Sequence, residues 1–201
     1  MRRTRLFTCV ILILSVSTAL SAEKPSFDQV KDGLKKATIF FKSIATNGGY
    51  VGLYSADLKQ RFGEATYEKA TSDQIWVQPP GTPTVGKCYL RAYKATGEPL
   101  YLDCARAAGL ALAWGQRKEG GWDHLVDVSH FVRSSPPVRK SGNCTFDDNI
   151  SQGAVTFLIG LDEVIDEQWL NDSINTALNH LKEAQFQNGA WPQWYPLIGD
   201  Y

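Results

Sequence analysis

Apolar side chains recur at helical intervals in five separate stretches of the chain, which predicts five helices. The predicted helices cover 26–45, Pro83 to Gly97, Pro99 to about Gln116, a stretch that begins after Thr145, and about Glu167 to Ala184. The fourth helix has the clearest buried face, which consists of Ile150, Ala154, Phe157, Leu158 and Leu161. No stretch alternates apolar and polar residues convincingly, so the pattern indicates an all-α fold built from helical hairpins.

Residues that favour helix ends support the boundaries of the first two helices. Ser26 and Gln29 have the spacing of a capping box, in which each side chain bonds the backbone N–H of the other residue. Pro83 suits a first helical turn, and Gly97 suits the residue that follows a helix. The long connection 117–144 has no helical pattern, and connections of this length are usually functional or disordered.

A short motif recurs after every second predicted helix. Residues 116–122 and 185–191 both fit Q-x-x-x-G-x-W, and 44–50 is a degenerate copy with isoleucine for glutamine and tyrosine for tryptophan. The aromatic positions of successive copies are 72 and 69 residues apart. Each interval therefore holds one loop and about two helices, which indicates a repeat architecture.

The motif has a direct physical interpretation. Its glycine permits the positive φ that ends a helix, and its glutamine can bond free carbonyls or the next repeat. Because two helices alone cannot bury both of their faces, such units must stack or close into a ring. The repeat therefore predicts part of an α/α toroid, a squalene-cyclase-like barrel, with its aromatic loops gathered at one end.

The N-terminal residues 1–22 have the features of a secretory signal. Three arginines precede an apolar run, 6–14, that is too short to span a membrane. Ala19 and Ser21 are small residues suited to cleavage after Ser21. We therefore expect a secreted or periplasmic product without a membrane anchor, in which 23–201 form one domain.

Composition limits the classes of partner. The chain has 21 Lys+Arg and 21 Asp+Glu, and loss of the three signal arginines leaves a net charge of about −3. That balance argues against nucleic acid, and we expect a monomer. Cys88, Cys104 and Cys144 would remain, so one disulfide with a free thiol is possible. The only histidines, His124, His130 and His180, lack a compact zinc spacing.

Two segments carry a resemblance to a known family. "AQFQNGAWPQWYP" (184–196) resembles the N-G-[GA]-W-P-Q-x-Y-P signature of the pectic acid lyases of polysaccharide lyase family 10. "TFDDNISQGAVTFL" (145–158) is similar to the T-[IF]-D segment of that family, and 76–98 resembles the N-terminal part of its exported bacterial members. The resemblance implies an α/α toroid that cleaves polygalacturonate, an acidic polysaccharide, by β-elimination with Ca²⁺.

The resemblance also implies where catalysis occurs. The family's catalytic arginine and a metal-binding acid lie further along than Tyr201, the last residue here. We therefore expect this chain to correspond to the N-terminal part of a lyase, incomplete at its C-terminus and inactive by itself. No catalytic residue is assigned within 1–201.

Several residues are candidates for the site. Asp147 matches the aspartate that the family places at its calcium site, although it also suits a helix N-terminus. Trp122 and Trp191 either stack on sugars or plug the ring, and we favour the plug for Trp191. The predicted substrate-binding residues are Gln193, Trp194, Tyr195, Trp122 and Asp148.

Other interpretations stay open at this point. Asp123 and Asp147 would suit the acid pair of a glycosidase. The loop cations Arg133, Arg139 and Lys140 either contact uronates or are solvated. A carbohydrate-binding toroid without catalysis is the main alternative function. A terpene-cyclase-like enzyme is disfavoured because the sequence has no D-x-D-D motif.

Overall fold

About half of the described residues are helical. The computed structural model describes residues 24–129 and 139–197, so the predicted signal segment, His130, Arg133 and 198–201 lie outside the described part. Within it are α1 (Phe27–Ile44), α2 (Thr82–Thr96), α3 (Pro99–Gly115), α4 (Ile150–Asp162) and α5 (Gln168–Ala184). A 3₁₀ turn, Asp147–Asn149, precedes α4. The prediction of a mainly helical chain is confirmed, and none of these helices is long and apolar enough to cross a membrane.

Six short strands, none of which the sequence pattern predicted, accompany the helices. The described part contains β1 (Leu53–Tyr54), β2 (Arg61–Phe62), β3 (Gln74–Trp76), β4 (Leu125–Asp127), β5 (Cys144–Thr145) and β6 (Trp194–Tyr195). They form three antiparallel pairs, β1 with β2, β3 with β4, and β5 with β6. Strands of two or three residues are too short to show the alternation from which strands are predicted.

The strands join helices into two equivalent hairpin units. The first unit runs β3–α2–α3–β4 and the second β5–α4–α5–β6, and in each the first strand pairs with the last. Their core contains the face predicted for α4, in which Ile150, Phe157, Leu158 and Leu161 are fully buried. The assignment of 23–201 to one domain and the closure of the units into a ring stay predictions.

Helix α1 lies largely outside this core. Its N-terminus forms the predicted capping box, with the Ser26 backbone N–H donating to Gln29 Oε1 at 2.7 Å. Thr38 is the only buried residue that α1 contributes. The apolar stripe of the helix, which includes Phe27 and Val30, is exposed.

The turn after each second helix has the same geometry in all three motif copies. Gly48, Gly120 and Gly189 have φ angles of 91°, 112° and 86°, in the left-handed region that favours glycine. A Cβ on Gly48 would lie 2.3 Å from the Ala107 carbonyl oxygen, and one on Gly120 would lie 2.6 Å from that of Thr176. Glycine is therefore required both for the turn and for close packing on the next unit's helix.

The glutamine of the motif bonds as its position suggests. Gln116 Nε2 donates to the carbonyls of Gly120 at 2.7 Å and Ser173 at 3.0 Å, which ties the first unit to the second. Gln185 Nε2 makes the equivalent bond to Gly189 at 2.9 Å. Because Gln116 is buried, its two bonds also satisfy groups that burial would otherwise leave unpaired.

The aromatic position links each unit to the next. The Tyr50 N–H donates to Thr82 Oγ1 at 2.9 Å, and the Trp122 N–H donates to Ser151 Oγ at 3.1 Å. Thr82 and Ser151 are 69 residues apart, so the contacts are equivalent. The repeat predicted from the sequence is therefore also a repeat of hydrogen bonds.

The three cysteines of the described part are free thiols. Cys88 is exposed, and Cys104 and Cys144 are buried. Burial raises the pKa of the Cys144 thiol to about 12, so this group stays protonated near neutral pH. A disulfide with one free thiol, which the cysteine count allowed, is not present.

Candidate functional site

The candidate site centres on the turn between β5 and α4. Thr145 Oγ1 accepts from the Asp147 N–H at 3.1 Å, and Asp147 Oδ1 accepts from the Asp148 N–H at 2.9 Å. Asp148 and Asn149 then have φ angles of 47° and 58°. Two successive left-handed residues that are not glycine cost about 1–3 kcal/mol each, and such strain is concentrated at functional sites.

Pairing of β5 with β6 brings Gln193 to this turn. The Phe146 N–H donates to the Gln193 carbonyl at 2.9 Å, which fixes the backbone. The Gln193 side chain then donates from Nε2 to Asp147 Oδ2. Two predicted site residues separated by 46 positions are therefore in direct contact, and Asp147 has a role besides favouring a helix start.

The predicted sugar-binding residues of β6 lie on opposite faces of that strand, because successive strand residues alternate. Trp194 is half-buried beside His124, with ring centroids 6.3 Å apart. Tyr195 instead meets the buried His180 edge-on at 5.3 Å. The ring contact of Tyr195 is thus a packing contact, whereas Trp194 is half-buried beside His124.

The prediction that Trp122 binds substrate is wrong. Its side chain has 0 % exposure, and Nε1 donates to the Leu112 carbonyl at 2.8 Å, so no sugar ring can stack on it. Trp191 makes the equivalent bond to the Leu181 carbonyl at 2.8 Å but is 48 % exposed. The plug interpretation therefore describes Trp122 well and Trp191 only in part.

Sequence reasoning missed Gln78. Its Nε2 donates to Asp148 Oδ2 at 3.1 Å, while its Oε1 is buried and has no hydrogen-bond partner among the described residues. A detectable signal existed, since Gln78 lies 69 residues before Asp147, the interval of the repeat. Applying that interval to the site residues would have identified it.

His124 is the second residue missed as a site residue. It lies 69 residues before Gln193, and its carbonyl accepts from the Val77 N–H at 2.8 Å, as that of Gln193 accepts from Phe146. Its Nδ1 is 3.0 Å from Asp123 Oδ1. The other oxygen of Asp123 is 3.6 Å from Arg117 Nη2. Asp123 is thus engaged in a local ion-pair network, and its pairing with Asp147 as the acid pair of a glycosidase stays a hypothesis.

The described basic residues of the 139–140 segment have structural partners. Lys140 Nζ is 2.7 Å from Asp127 Oδ2 and, together with hydrogen bonds from Ser129, holds the pKa of that carboxyl well below its usual range. Arg139 Nη1 donates to Thr176 Oγ1 at 3.3 Å. These contacts favour a structural role for both cations over uronate binding.

The carboxylate oxygens around Asp147 are of the chemical type that calcium binds. Calcium takes six to eight oxygen ligands from carboxylates, amides and water. Asp147 and Asp148 supply two carboxylates of this kind. No group of three His, Cys, Asp or Glu residues suited to a metal occurs within 24–129 and 139–197, and the calcium site stays a prediction.

A pH-dependent stability is expected from His180. The imidazole is 1 % exposed and contacts the rings of Phe146 and Tyr195. Burial lowers its pKa below the ordinary 6.5, against the opposing effects of the Glu119 backbone and of the charges of Glu183 and Glu119. The unfolded chain therefore binds a proton that the folded chain excludes, and stability falls as pH drops below 6.5, by at most about 1.4 kcal/mol per pH unit.

The measurement is urea unfolding of the unmodified chain and of His180→Phe at about pH 7.5 and about pH 5, on either side of the ordinary histidine pKa. Phenylalanine keeps a ring in the same space and removes the titrating group. We expect a smaller loss of stability in acid for the variant. Equal losses in the two proteins would contradict the assignment.

Comparison with known proteins identifies relatives of this region. The family model described as Pectic acid lyase matches residues 116–201, which include Asp147 and Gln193. The resemblance to the pectic acid lyases is therefore confirmed over that part of the chain. No curated protein sequence matches the chain.

Two similar solved structures come from Cellvibrio cellulosa. One is a family 10 polysaccharide lyase, with 22 % identity, a TM-score of 0.39, and coverage of 59 % of this chain and 34 % of its own. The other is a mutant of a family 10 polysaccharide lyase in complex with trigalacturonic acid, with 21 % identity, a TM-score of 0.39 and the same coverage. This chain thus spans about a third of the length of those structures.

Proposed function

We propose that this chain is part of an exported polysaccharide lyase that cleaves pectate by Ca²⁺-dependent β-elimination. The contact between Asp147 and Gln193 carries the proposal, because it joins the two segments that resemble the pectic acid lyases. The family match over 116–201 supports it. In this proposal, the hairpin units are neighbouring sectors of an α/α toroid, and substrate lies across their loop ends.

In β-elimination, a base removes the proton at C5 of a uronate, a C4–C5 double bond forms, and the glycosidic oxygen leaves C4. A bound Ca²⁺ would neutralise the uronate carboxylate and make the C5 proton more acidic. Asp147 and Asp148 would hold the ion, with Gln193 and Gln78 fixing their carboxylates. The half-buried Trp194 would stack on a sugar face. We assign no catalytic base to the described residues.

The test is release of unsaturated uronides from polygalacturonate by the complete lyase of which this chain is proposed to be a part, followed by ultraviolet absorbance. We expect the absorbance to rise with Ca²⁺ and the rise to stop when a chelator is added, because the chemistry needs the carboxylate neutralised. A neutral galactan is the matched substrate control. Activity that persists in chelator would contradict Ca²⁺ dependence, and activity on neither polymer would contradict lyase function for that protein.

A carbohydrate-binding role without cleavage is the second candidate. It is favoured by the ion pairs of two described cations, Arg117 with Asp123 and Lys140 with Asp127, which give both side chains a structural role. Electrophoresis through gels containing polygalacturonate separates the two functions, since a binding protein is retarded without releasing unsaturated product. Absence of retardation would contradict the binding role.

A further inference from the structure

We propose that His124 is a substrate-binding residue that accepts a hydrogen bond from a ring hydroxyl of the uronate bound beside Asp147 and Asp148. The inference rests on the proposed function and extends its site into the first hairpin unit. Four observations carry it: the orientation of the imidazole, its unpartnered nitrogen, its aromatic neighbours and its position in the repeat.

The imidazole is held in one tautomer. Asp123 Oδ1 lies 3.0 Å from His124 Nδ1 and 2.7 Å from the His124 backbone nitrogen. Because a carboxylate only accepts, Nδ1 of the neutral ring carries the hydrogen and Nε2 keeps its lone pair. Arg117 Nη2 lies 3.6 Å from the second oxygen of Asp123, so the carboxylate is contacted on both sides.

The remaining nitrogen is available to a ligand. Nε2 has no hydrogen-bond partner within 24–129 and 139–197, and the His124 side chain is 29 % exposed. The ring lies between two tryptophans, with centroids 5.5 Å from Trp76 and 6.3 Å from Trp194. An oriented acceptor beside a half-buried tryptophan is a common arrangement for a sugar, which offers C–H faces to aromatics and O–H groups to acceptors.

The repeat places His124 at the same edge as the candidate metal ligands. The His124 carbonyl accepts from Val77 in the first unit as the Gln193 carbonyl accepts from Phe146 in the second. The Gln193 side chain also contacts Asp147. Val77 is followed directly by Gln78, and the Gln78 side chain contacts Asp148. Equivalent polar side chains of two neighbouring units therefore face one substrate path, which suits a polymer longer than one sugar.

The test compares His124→Phe with His124→Gln. Phenylalanine keeps a ring between the two tryptophans and removes the acceptor, whereas glutamine, the residue at the equivalent position 193, restores a polar group. Affinities for trigalacturonate and for its ring-O-acetylated form are measured by titration calorimetry with Ca²⁺ present. Acetylation removes the hydroxyl donors, so it removes the hydrogen bond without changing the protein.

We expect His124→Phe to bind trigalacturonate about three- to tenfold more weakly, the value of one hydrogen bond, and the acetylated form with unchanged affinity. We expect His124→Gln to recover part of the loss. Equal losses for both ligands, or none for either, would overturn the inference. If the unmodified chain binds neither ligand, the proposed function fails. If the unmodified chain binds trigalacturonate and His124→Phe binds it equally well, only the inference about His124 fails.

Discussion

Replacing Trp122 by alanine is expected to lower the free energy of unfolding by about 3–5 kcal/mol, the usual cost of truncating a buried tryptophan. The side chain is fully buried in the shared core of the two hairpin units. Its removal leaves a cavity and also frees the Leu112 carbonyl, which accepts from Nε1 at 2.8 Å. Urea unfolding followed by circular dichroism measures the loss.

Trp191→Ala is the matched control, because it has the same motif position and the equivalent bond to Leu181. With 48 % of its surface exposed, Trp191 leaves less of a cavity, and we expect a cost of about 1–2 kcal/mol. A loss for Trp191→Ala as large as that for Trp122→Ala would show that burial does not distinguish the two copies. It would contradict the packing described above.

The second large effect is expected at Asp147. Asp147→Asn removes the charge that the proposal uses for Ca²⁺ and also replaces an acceptor of the Gln193 amide. We expect the affinity for trigalacturonate in the presence of Ca²⁺ to fall by about 10- to 100-fold, comparable with the loss of groups that hold metal ligands. The affinity measured in chelator should be nearly the same for the variant and the unmodified chain.

Asp32→Asn provides the control for that substitution. Asp32 is an exposed aspartate on α1 that forms a surface pair with Lys36 at 2.7 Å. Surface pairs of this kind contribute about 0–1 kcal/mol to stability, so binding should be unchanged. If Asp147→Asn binds as well as Asp32→Asn when Ca²⁺ is present, Asp147 is not a ligand, and the metal part of the proposal fails.

The helices and the repeat were predictable from sequence because both depend on local patterns. The capping box at Ser26 and the apolar face of α4 occur as expected. The motif spacing predicts equivalent turns, and the structure shows equivalent bonds at Gln116 and Gln185. These features need only neighbouring residues, so a single sequence contains them.

The burial of the motif aromatics was not predictable, because it depends on which elements pack over each turn. Trp122 and Trp191 have the same local sequence, yet one is fully buried and the other half-exposed. Similarly, Tyr195 follows Trp194 directly, but strand pairing at β6 turns the two side chains to opposite faces. Strands this short leave no pattern from which that pairing could be read.

Gln78 belongs to the part of the candidate site that was not predicted from the sequence. The partner of Gln78, Asp148, is 70 residues away, and only the alignment of the two hairpin units brings them together. Gln78 and His124 each lie 69 residues, one repeat interval, before Asp147 and Gln193 respectively. The same interval therefore explains the fold and extends the site from one unit to two.

Backbone amide chemical shifts on addition of trigalacturonate with Ca²⁺ locate a bound ligand on the chain and so test whether the β5–α4 turn binds carbohydrate. We expect changes at Asp147 to Asn149 and at Gln193 and Trp194, with smaller changes at His124. We expect none along the outer surface of α1. Shifts confined to α1 or to the far ends of the helices, or no shifts at saturating ligand, would contradict a carbohydrate site at this turn.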